Sequence, residues 1–221
     1  GILLHTDAAQ SVGKIPVDVG ELGVDLLTVA GHKLYAPKGI GVLYVRRGVR
    51  IEKLMHGADH ERNMRAGTEN VIEIAGLGKA AEMLRGKTGL NAERMKLLRD
   101  QLYEEIRKEI PGVRMNGHPL QRLPNTLSLS FPGTTAQAML SGMKGVAASP
   151  GAACHADQIS VSPVLTAMGV PPALAAGTIR FSIGKYSTEK EMKLAAGEIA
   201  ATWHRLAGAQ QEHPAPVADG A

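Results

Sequence analysis

Short apolar runs separated by polar turns dominate the first part of the chain, up to about Arg47. The runs cover residues 2–5, 26–30 and 41–45, with glycine or proline near their ends. Runs of this length are typical of strands buried in an α/β sheet. A polar, charged and glycine-containing stretch follows at residues 55–70. It predicts a long ordered loop, and such loops in compact domains are usually either functional or disordered.

The pattern changes to a helical period after residue 70 and to a mixture of helices and strands after Pro111. Helices are predicted over residues 71–84 and 91–110, the second ended by Pro111 and Gly112. Further along, the sequence predicts strands at 113–115, 126–131, 145–149 and 177–183, and helices at 135–143, 164–168 and 188–206. Ser187 is the expected cap of the last helix, and residues 150–162 are predicted to form a loop.

This change of pattern predicts two domains and a tail. Residues 1–88 would be part of a larger α/β domain with a mostly parallel sheet, and residues 89–208 a smaller α+β domain. Residues 209–221, rich in alanine, proline and glutamine, would be a mobile tail. Because the chain begins directly with an apolar run, we expect it to be a fragment of a longer protein.

The composition argues against several classes of protein. A chain of 221 residues that is 44% hydrophobic and 21% charged is globular rather than disordered. Aromatic residues make up 3% and the net charge of +4 is scattered, so nothing favours binding to nucleic acid. No apolar run is long enough to span a membrane, and no leader sequence is visible, which predicts a soluble cytoplasmic protein.

Three residues could carry chemistry. Lys33 follows an apolar strand, at the position where open α/β sheets bind ligands, and its amine is either a nucleophile or an ordinary surface group. Asp7 also follows a strand, and could lie under a ligand opposite Lys33 or cap the next helix. Cys154 is the single cysteine, so it is either a small buried apolar residue or a reactive thiol.

Five sequence segments identify a family. They are HTDAAQSVGK at 5–14, GHKLYAPKGIG at 31–41, ERNMRAGTEN at 61–70, GAACH at 151–155 and IRFSIG at 179–184. In this order and spacing they resemble the cysteine desulfurase and selenocysteine lyase family of class-V aminotransferase-like enzymes, from Gly1 to about Leu206. The resemblance implies an α/β pyridoxal-phosphate-dependent transferase fold (fold type I), with residues 1–88 forming the C-terminal part of the large domain.

The resemblance also implies a role for each matched residue. Lys33 would hold pyridoxal 5'-phosphate as a Schiff base and move protons at the substrate's α-carbon, and Cys154 would accept the sulfur or selenium. Asp7 would pair with the pyridine nitrogen, and Gln10 would hydrogen-bond the phenolic oxygen. His32 would help to hold the phosphate, and Thr68 would reach the phosphate of the neighbouring subunit. Arg180 would bind the substrate carboxylate.

The implied reaction removes sulfur from L-cysteine or selenium from L-selenocysteine, giving L-alanine and a persulfide on Cys154 that passes to an acceptor protein, as in iron-sulfur cluster assembly. The implied assembly is a homodimer, and a separate N-terminal piece is a further candidate partner. The alternative is a catalytically incomplete half-enzyme that acts through dimerisation or partner binding. A transaminase is disfavoured, because amino transfer has no use for Cys154.

Two departures from the family pattern stand out. Ala30 occupies a position where the family often has a serine that binds phosphate, and Thr28 or backbone amides would have to compensate. Residues 57–60 read Gly-Ala-Asp-His where a glycine run is expected. His60 of this segment and His56 just before it lack the spacing of a metal site, and we expect no metal.

Overall fold

The computed structural model describes residues 1–151, 153–155, 158–160 and 162–212, and it describes only the backbone of 153–155, 158–160 and 209–212. The chain divides into two compact units, Gly1–Ala92 and Glu93–Ala221. The predicted mobile tail lies mostly outside the described residues, apart from 209–212, which continue the last helix.

The first unit contains a three-stranded sheet. Its strands are β1 (His5–Asp7), β2 (Leu26–Ala30) and β3 (Gly41–Val45), in the order β1-β2-β3. β1 runs parallel to β2, whereas β3 is antiparallel to it. The described sheet is therefore mixed rather than mostly parallel. The reason is the short connection at residues 31–40, since a parallel crossover needs about a dozen residues or more.

The helices of the first unit begin and end at recognisable signals. Helix α1 (Val19–Leu22) is capped by Asp18 and ends at Gly23, which is left-handed. A 3-10 helix follows β2 at Gly31–Leu34, and a four-residue turn, α2, lies at His60–Asn63. Helix α3 (Val71–Leu84) has its predicted bounds, with Asn70 accepting a hydrogen bond from the amide of Glu73.

The apolar interior of the first unit consists of two small clusters. One is Ala8, Val24 and Leu27, beneath the sheet, and the other is Leu34, Ala36 and Ala80, where α3 meets the 3-10 helix. The apolar run predicted as a strand from residue 2 was placed too early, because β1 begins at His5 and Ile2 is fully exposed.

The second unit is built on a four-stranded antiparallel sheet. Its strands are β4 (Arg114–Met115), β5 (Thr126–Ser130), β6 (Ser149–Pro150) and β9 (Thr178–Ser182), and they lie in the order β4-β5-β9-β6. A separate hairpin consists of β7 (Ala153–His155) and β8 (Gln158–Ser160). This hairpin corrects the predicted loop at 150–162. The predicted strand at 145–149 is reduced to its last residue and Pro150.

Five further helices lie within residues 88–212. They are α4 (Thr88–Glu109), α5 (Ala136–Gly142), α6 (Pro163–Ala167), α7 (Pro172–Ala176) and α8 (Glu189–Glu212). The sequence did not predict α7. Ser187 is not the cap of α8: its hydroxyl accepts from the amide of Gly184, while the amide of Thr188 donates to Glu191 and the amide of Glu191 donates back to the Thr188 hydroxyl. This reciprocal pair is a capping box.

The core of the second unit combines alternate residues of β5 and β9 with helices α4, α5 and α8. Its fully buried members are Ile106, Ile110, Leu127, Leu129, Phe131, Met139, Ile179 and Ile199. Burying a side chain of this size stabilises the fold by about 1.5–3 kcal/mol. Met139 and Met143 belong to this core, where their side chains fill space between the helices and the sheet. In the part of the chain that the structure describes, no helix has the length and apolar character to cross a membrane.

Candidate active site

Asp7 and Lys33 lie at the same edge of the sheet in the first unit. Asp7 ends β1 opposite Thr28 of the parallel strand β2, so both strands finish at this edge. Lys33 lies in the 3-10 helix that begins directly after Ala30, the last residue of β2. Lys33 is half-buried and Asp7 is exposed. Carboxyl ends of neighbouring parallel strands are the usual binding edge of α/β sheets.

The carboxylate of Asp7 organises the turn that carries Gln10. Its Oδ1 accepts from the amide of Ala9 at 2.8 Å, and the amide of Ala8 donates to the carbonyl oxygen of Thr28 at 2.9 Å. Residues 9–14 form consecutive turns rather than a helix, and Gln10 is exposed. Asp7 therefore caps a turn, which leaves it at the sheet edge and is compatible with a role beneath a ligand.

Lys14 holds the backbone of Lys33. The 3-10 helix ends at Tyr35, which is left-handed with φ of 70°, and the amides of Tyr35 and Ala36 donate to the carbonyls of His32 and Gly31. The carbonyl oxygen of Lys33 instead accepts from the Nζ of Lys14 at 3.4 Å. Lys14 is only 9% exposed. Burial, and then the positive charge of Lys33, lower the pKa of the Lys14 ammonium below its ordinary value.

Sequence reasoning did not single out Lys14. The only available signal was that Lys14 closes the first of the five family segments. A lysine after a glycine turn is usually a solvated surface residue. Only the tertiary structure shows that this side chain turns inward and reaches the residue after His32.

The other predicted cofactor ligands lie on exposed surface of the same unit. His32 is exposed in the 3-10 helix, and Thr68 is exposed in the segment that precedes α3. Ala30, which replaces the expected serine, pairs with Gly41 and brings no hydroxyl to the edge. The hydroxyl of Thr28 shares a hydrogen bond of 2.7 Å with the Nε2 of His5.

Arg180 and Cys154 belong to the second unit. Arg180 lies on the solvent face of β9, where buried and exposed side chains alternate, and its Nη2 donates to the hydroxyl of Ser149 at 3.2 Å. Ser149 is its partner on β6. Cys154 pairs with Ile159 in the small hairpin, and its side chain lies outside the described residues.

Metal ligands do not converge anywhere in the described residues: no three histidine, cysteine, aspartate or glutamate side chains form a group that could hold an ion there. What the first unit does provide is one amine, one carboxylate and one amide near a sheet edge, with a second cation behind the amine. This donor set suits an anionic, carbonyl-bearing ring cofactor.

Known proteins resemble this chain over most of its length. The family model described as Aminotransferase class-V matches residues 1–194. Cysteine desulfurase IscS of Dictyoglomus turgidum is 46% identical over 193 residues, which are 86% of this chain and 49% of that protein. Cysteine desulfurase 2 of Trichormus variabilis is 45% identical over 194 residues, which are 87% of this chain and 48% of that protein.

Solved structures agree with these relatives. A NifS-like protein superposes with a TM-score of 0.82 at 36% identity, over 92% of this chain and 53% of that one. The NifS-like protein of Rickettsia africae superposes with a TM-score of 0.81 at 30% identity, over 91% of this chain and 54% of that one. The chain spans about half the length of the relatives it matches. Since the family model covers residues 1–194, the chain belongs to the class-V aminotransferase family.

Proposed function

We propose that this chain is the lysine- and cysteine-bearing part of a pyridoxal-phosphate-dependent cysteine desulfurase. The single observation that carries the proposal is the placement of Asp7 and Lys33 at the ends of two neighbouring strands. In the same family, relatives named cysteine desulfurase are 45–46% identical to this chain. L-Selenocysteine remains an alternative substrate, which chalcogen-release assays with both amino acids would distinguish.

The residues at the sheet edge fit the cofactor by their chemistry. Lys33 offers the amine that binds a carbonyl carbon, and Asp7 offers a carboxylate for a protonated ring nitrogen. Gln10, His32 and Thr68 would complete the set toward the ring oxygen and the phosphate. When bound, the cofactor would supply an electron sink for bonds at the substrate's α-carbon. Lys33 would carry the proton removed from that carbon.

Arg180 and Cys154 would handle the substrate. The planar guanidinium of Arg180 would bind the amino acid carboxylate through two parallel hydrogen bonds, with Ser149 fixing the guanidinium. The thiolate of Cys154 would attack the substrate sulfur. The carbon–sulfur bond then breaks, a proton goes to the β-carbon, and the products are alanine and a Cys154 persulfide. An acceptor protein would take the terminal sulfur.

A second candidate is a non-catalytic role in dimerisation or partner binding. It is supported by apolar side chains on the surface of the first unit: Ile72 is 85% exposed and Val71 69% exposed on α3, and Leu43 is 47% exposed on β3. Large apolar side chains left exposed on neighbouring positions, such as Val71 and Ile72, are candidates for an interaction surface. A homodimer partner or a separate N-terminal piece would cover them.

The test is cofactor trapping combined with product assays. The chain is mixed with pyridoxal phosphate and treated with borohydride, and the modified lysine is located by mass spectrometry. We expect Lys33 to be modified, Lys33→Ala to abolish trapping, and Lys38→Ala, at an exposed lysine nearby, to leave it intact. Alanine and sulfide release from cysteine then separates the two candidates. Cofactor trapped elsewhere, or equally in Lys33→Ala, would refute the lysine assignment.

A further inference from the structure

Lys53 gathers a long surface segment around its ammonium group. Its Nζ donates to the Oδ1 of Asp59 at 2.7 Å, the Oδ1 of Asn63 at 2.6 Å and the carbonyl oxygen of Gly57 at 3.4 Å. An ammonium has three N–H donors, so each of them has an acceptor. The Lys53 side chain is only 19% exposed, although Asp59 is 70% exposed. Lys53 therefore fixes three points of the segment 57–63.

The segment needs such fixing because its backbone is strained. Glu61, Arg62 and Asn63 have φ values of 49°, 61° and 65°, all in the left-handed region. Residues other than glycine rarely adopt this backbone conformation, and they persist in it only when the surrounding structure holds them there. Asp59 lies within the stretch where the family resemblance predicts glycines, and in this chain its carboxylate binds Lys53.

A second cation holds the other end of the same segment. The Nε of Arg65 donates to the Oε1 of Glu61 at 2.9 Å, and its Nη1 donates to the carbonyl oxygens of Ala66 at 3.0 Å and Gly67 at 2.6 Å. The next residue is Thr68. The strained turn is thus held by Lys53 on one side and by Arg65 on the other, and it leads directly to Thr68.

We propose that Lys53 and Arg65 are positioning residues that hold Thr68 in the place from which it contacts the cofactor phosphate of the neighbouring subunit. The role of Thr68 rests on the proposed function, whereas the fixing of the turn does not. Neither cation needs to touch the cofactor. Without Lys53, the carboxylate of Asp59 and the amide of Asn63 lose their shared donor, the left-handed turn relaxes, and Thr68 moves with it.

Trypsin tests the fixing of the turn without any cofactor. Arg62 is an exposed cleavage site within the turn. Cleavage after Arg62 in the native full chain, followed by mass spectrometry, should be at least tenfold faster in Lys53→Met and close to the original rate in Lys53→Arg. Lys79→Met is the matched control, since it removes an exposed lysine and its ion pair with Glu82 from the same unit. A Lys53→Met rate within twofold of the original chain would overturn the proposal.

The ratio of affinities for pyridoxal phosphate and for pyridoxal tests the link to Thr68, because only the first ligand carries a phosphate. Thr68→Ala should lower this ratio several-fold, Lys53→Met should lower it similarly, and the double variant should lower it no further than the single ones. If Thr68→Ala lowers the ratio and Lys53→Met does not, Lys53 has no positioning role. If Thr68→Ala changes nothing, or the chain binds neither ligand, the proposed phosphate contact fails, and the trypsin result still decides whether Lys53 holds the turn.

Discussion

Gly151 lies directly against Thr178 at the start of the cysteine-bearing segment. The amide of Gly151 donates to the carbonyl oxygen of Thr178 at 2.6 Å. A Cβ atom on Gly151 would lie 2.4 Å from the Cγ2 of Thr178. The polypeptide that leads to Cys154 therefore leaves the sheet through a gap that only glycine fits.

Gly151→Ala should destabilise the protein by about 1–3 kcal/mol, because the new methyl group has no space without a backbone shift. Urea unfolding of the full chain measures this. Gly145→Ala is the matched control, since nothing lies within 4 Å of a Cβ there. Adding Thr178→Ser, which deletes the clashing methyl group, should recover part of the loss. Equal stabilities of the two alanine variants would refute the packing argument.

Thr178 also anchors a buried polar network. Its hydroxyl shares a hydrogen bond of 2.6 Å with the hydroxyl of Ser130, to which Asn116 donates at 2.8 Å. Thr178 and Ser130 are both fully buried. Thr178→Val should cost about 1–3 kcal/mol of unfolding free energy, because a buried hydroxyl loses its partner. We expect the effects of Thr178→Val and Ser130→Ala in a double-mutant cycle to be less than additive. Strict additivity would show that the bond contributes little.

The buried ammonium of Lys14 should make stability depend on alkaline pH. Its pKa is lowered from about 10.5 by burial and by Lys33. Between the lowered pKa and 10.5 the unfolded chain binds more protons than the folded chain, so the unfolding free energy rises with pH across this interval. Lys14→Met lacks the group. We expect the original chain to gain stability over Lys14→Met as pH rises from neutral, as measured by denaturant unfolding.

Lys38→Met, at an exposed lysine, provides the comparison for this pH series. Its difference in unfolding free energy from the original chain should stay nearly constant with pH. If the stability difference between the original chain and Lys14→Met is equally independent of pH, or falls as pH rises, burial of the Lys14 charge does not depress its pKa in solution.

Arg180 should control substrate affinity more than turnover. In an assembly that converts cysteine to alanine, Arg180→Ala should raise the KM for cysteine roughly 10–100-fold, the equivalent of about 1.5–3 kcal/mol for lost charged hydrogen bonds. Arg180→Lys should recover little, because an ammonium cannot make the planar two-point contact. Ser149→Ala should have a smaller effect of the same kind, since Ser149 only positions the guanidinium. Unchanged KM in Arg180→Ala would remove Arg180 from the substrate site.

Much of the fold followed from local signals in the sequence. Helix α3 has its predicted bounds because Asn70 caps it and most of its interior residues favour a helix, which offsets the cost of Gly76 and Gly78. Strand β9 lies within one residue of each predicted end, because Gly177 precedes it and apolar and polar residues alternate along it. The elements that the sequence did not predict lie where the local signal is weak. Helix α7 is only one turn long, and the hairpin of β7 and β8 lies in a stretch of small residues that predicted a loop.

The sequence by itself determined the family and the identity of the candidate residues, because chemistry depends on residue types in a fixed order: Lys33, Asp7, Cys154 and Arg180 could all be named from the five segments. Tertiary structure decided how those residues are supported. It brought Lys14 to the carbonyl of Lys33 across 19 residues of chain, and it wound the turn before Thr68 around Lys53. Such contacts depend on how strands and turns are placed in three dimensions, and a local pattern of apolar and polar residues carries no record of that placement.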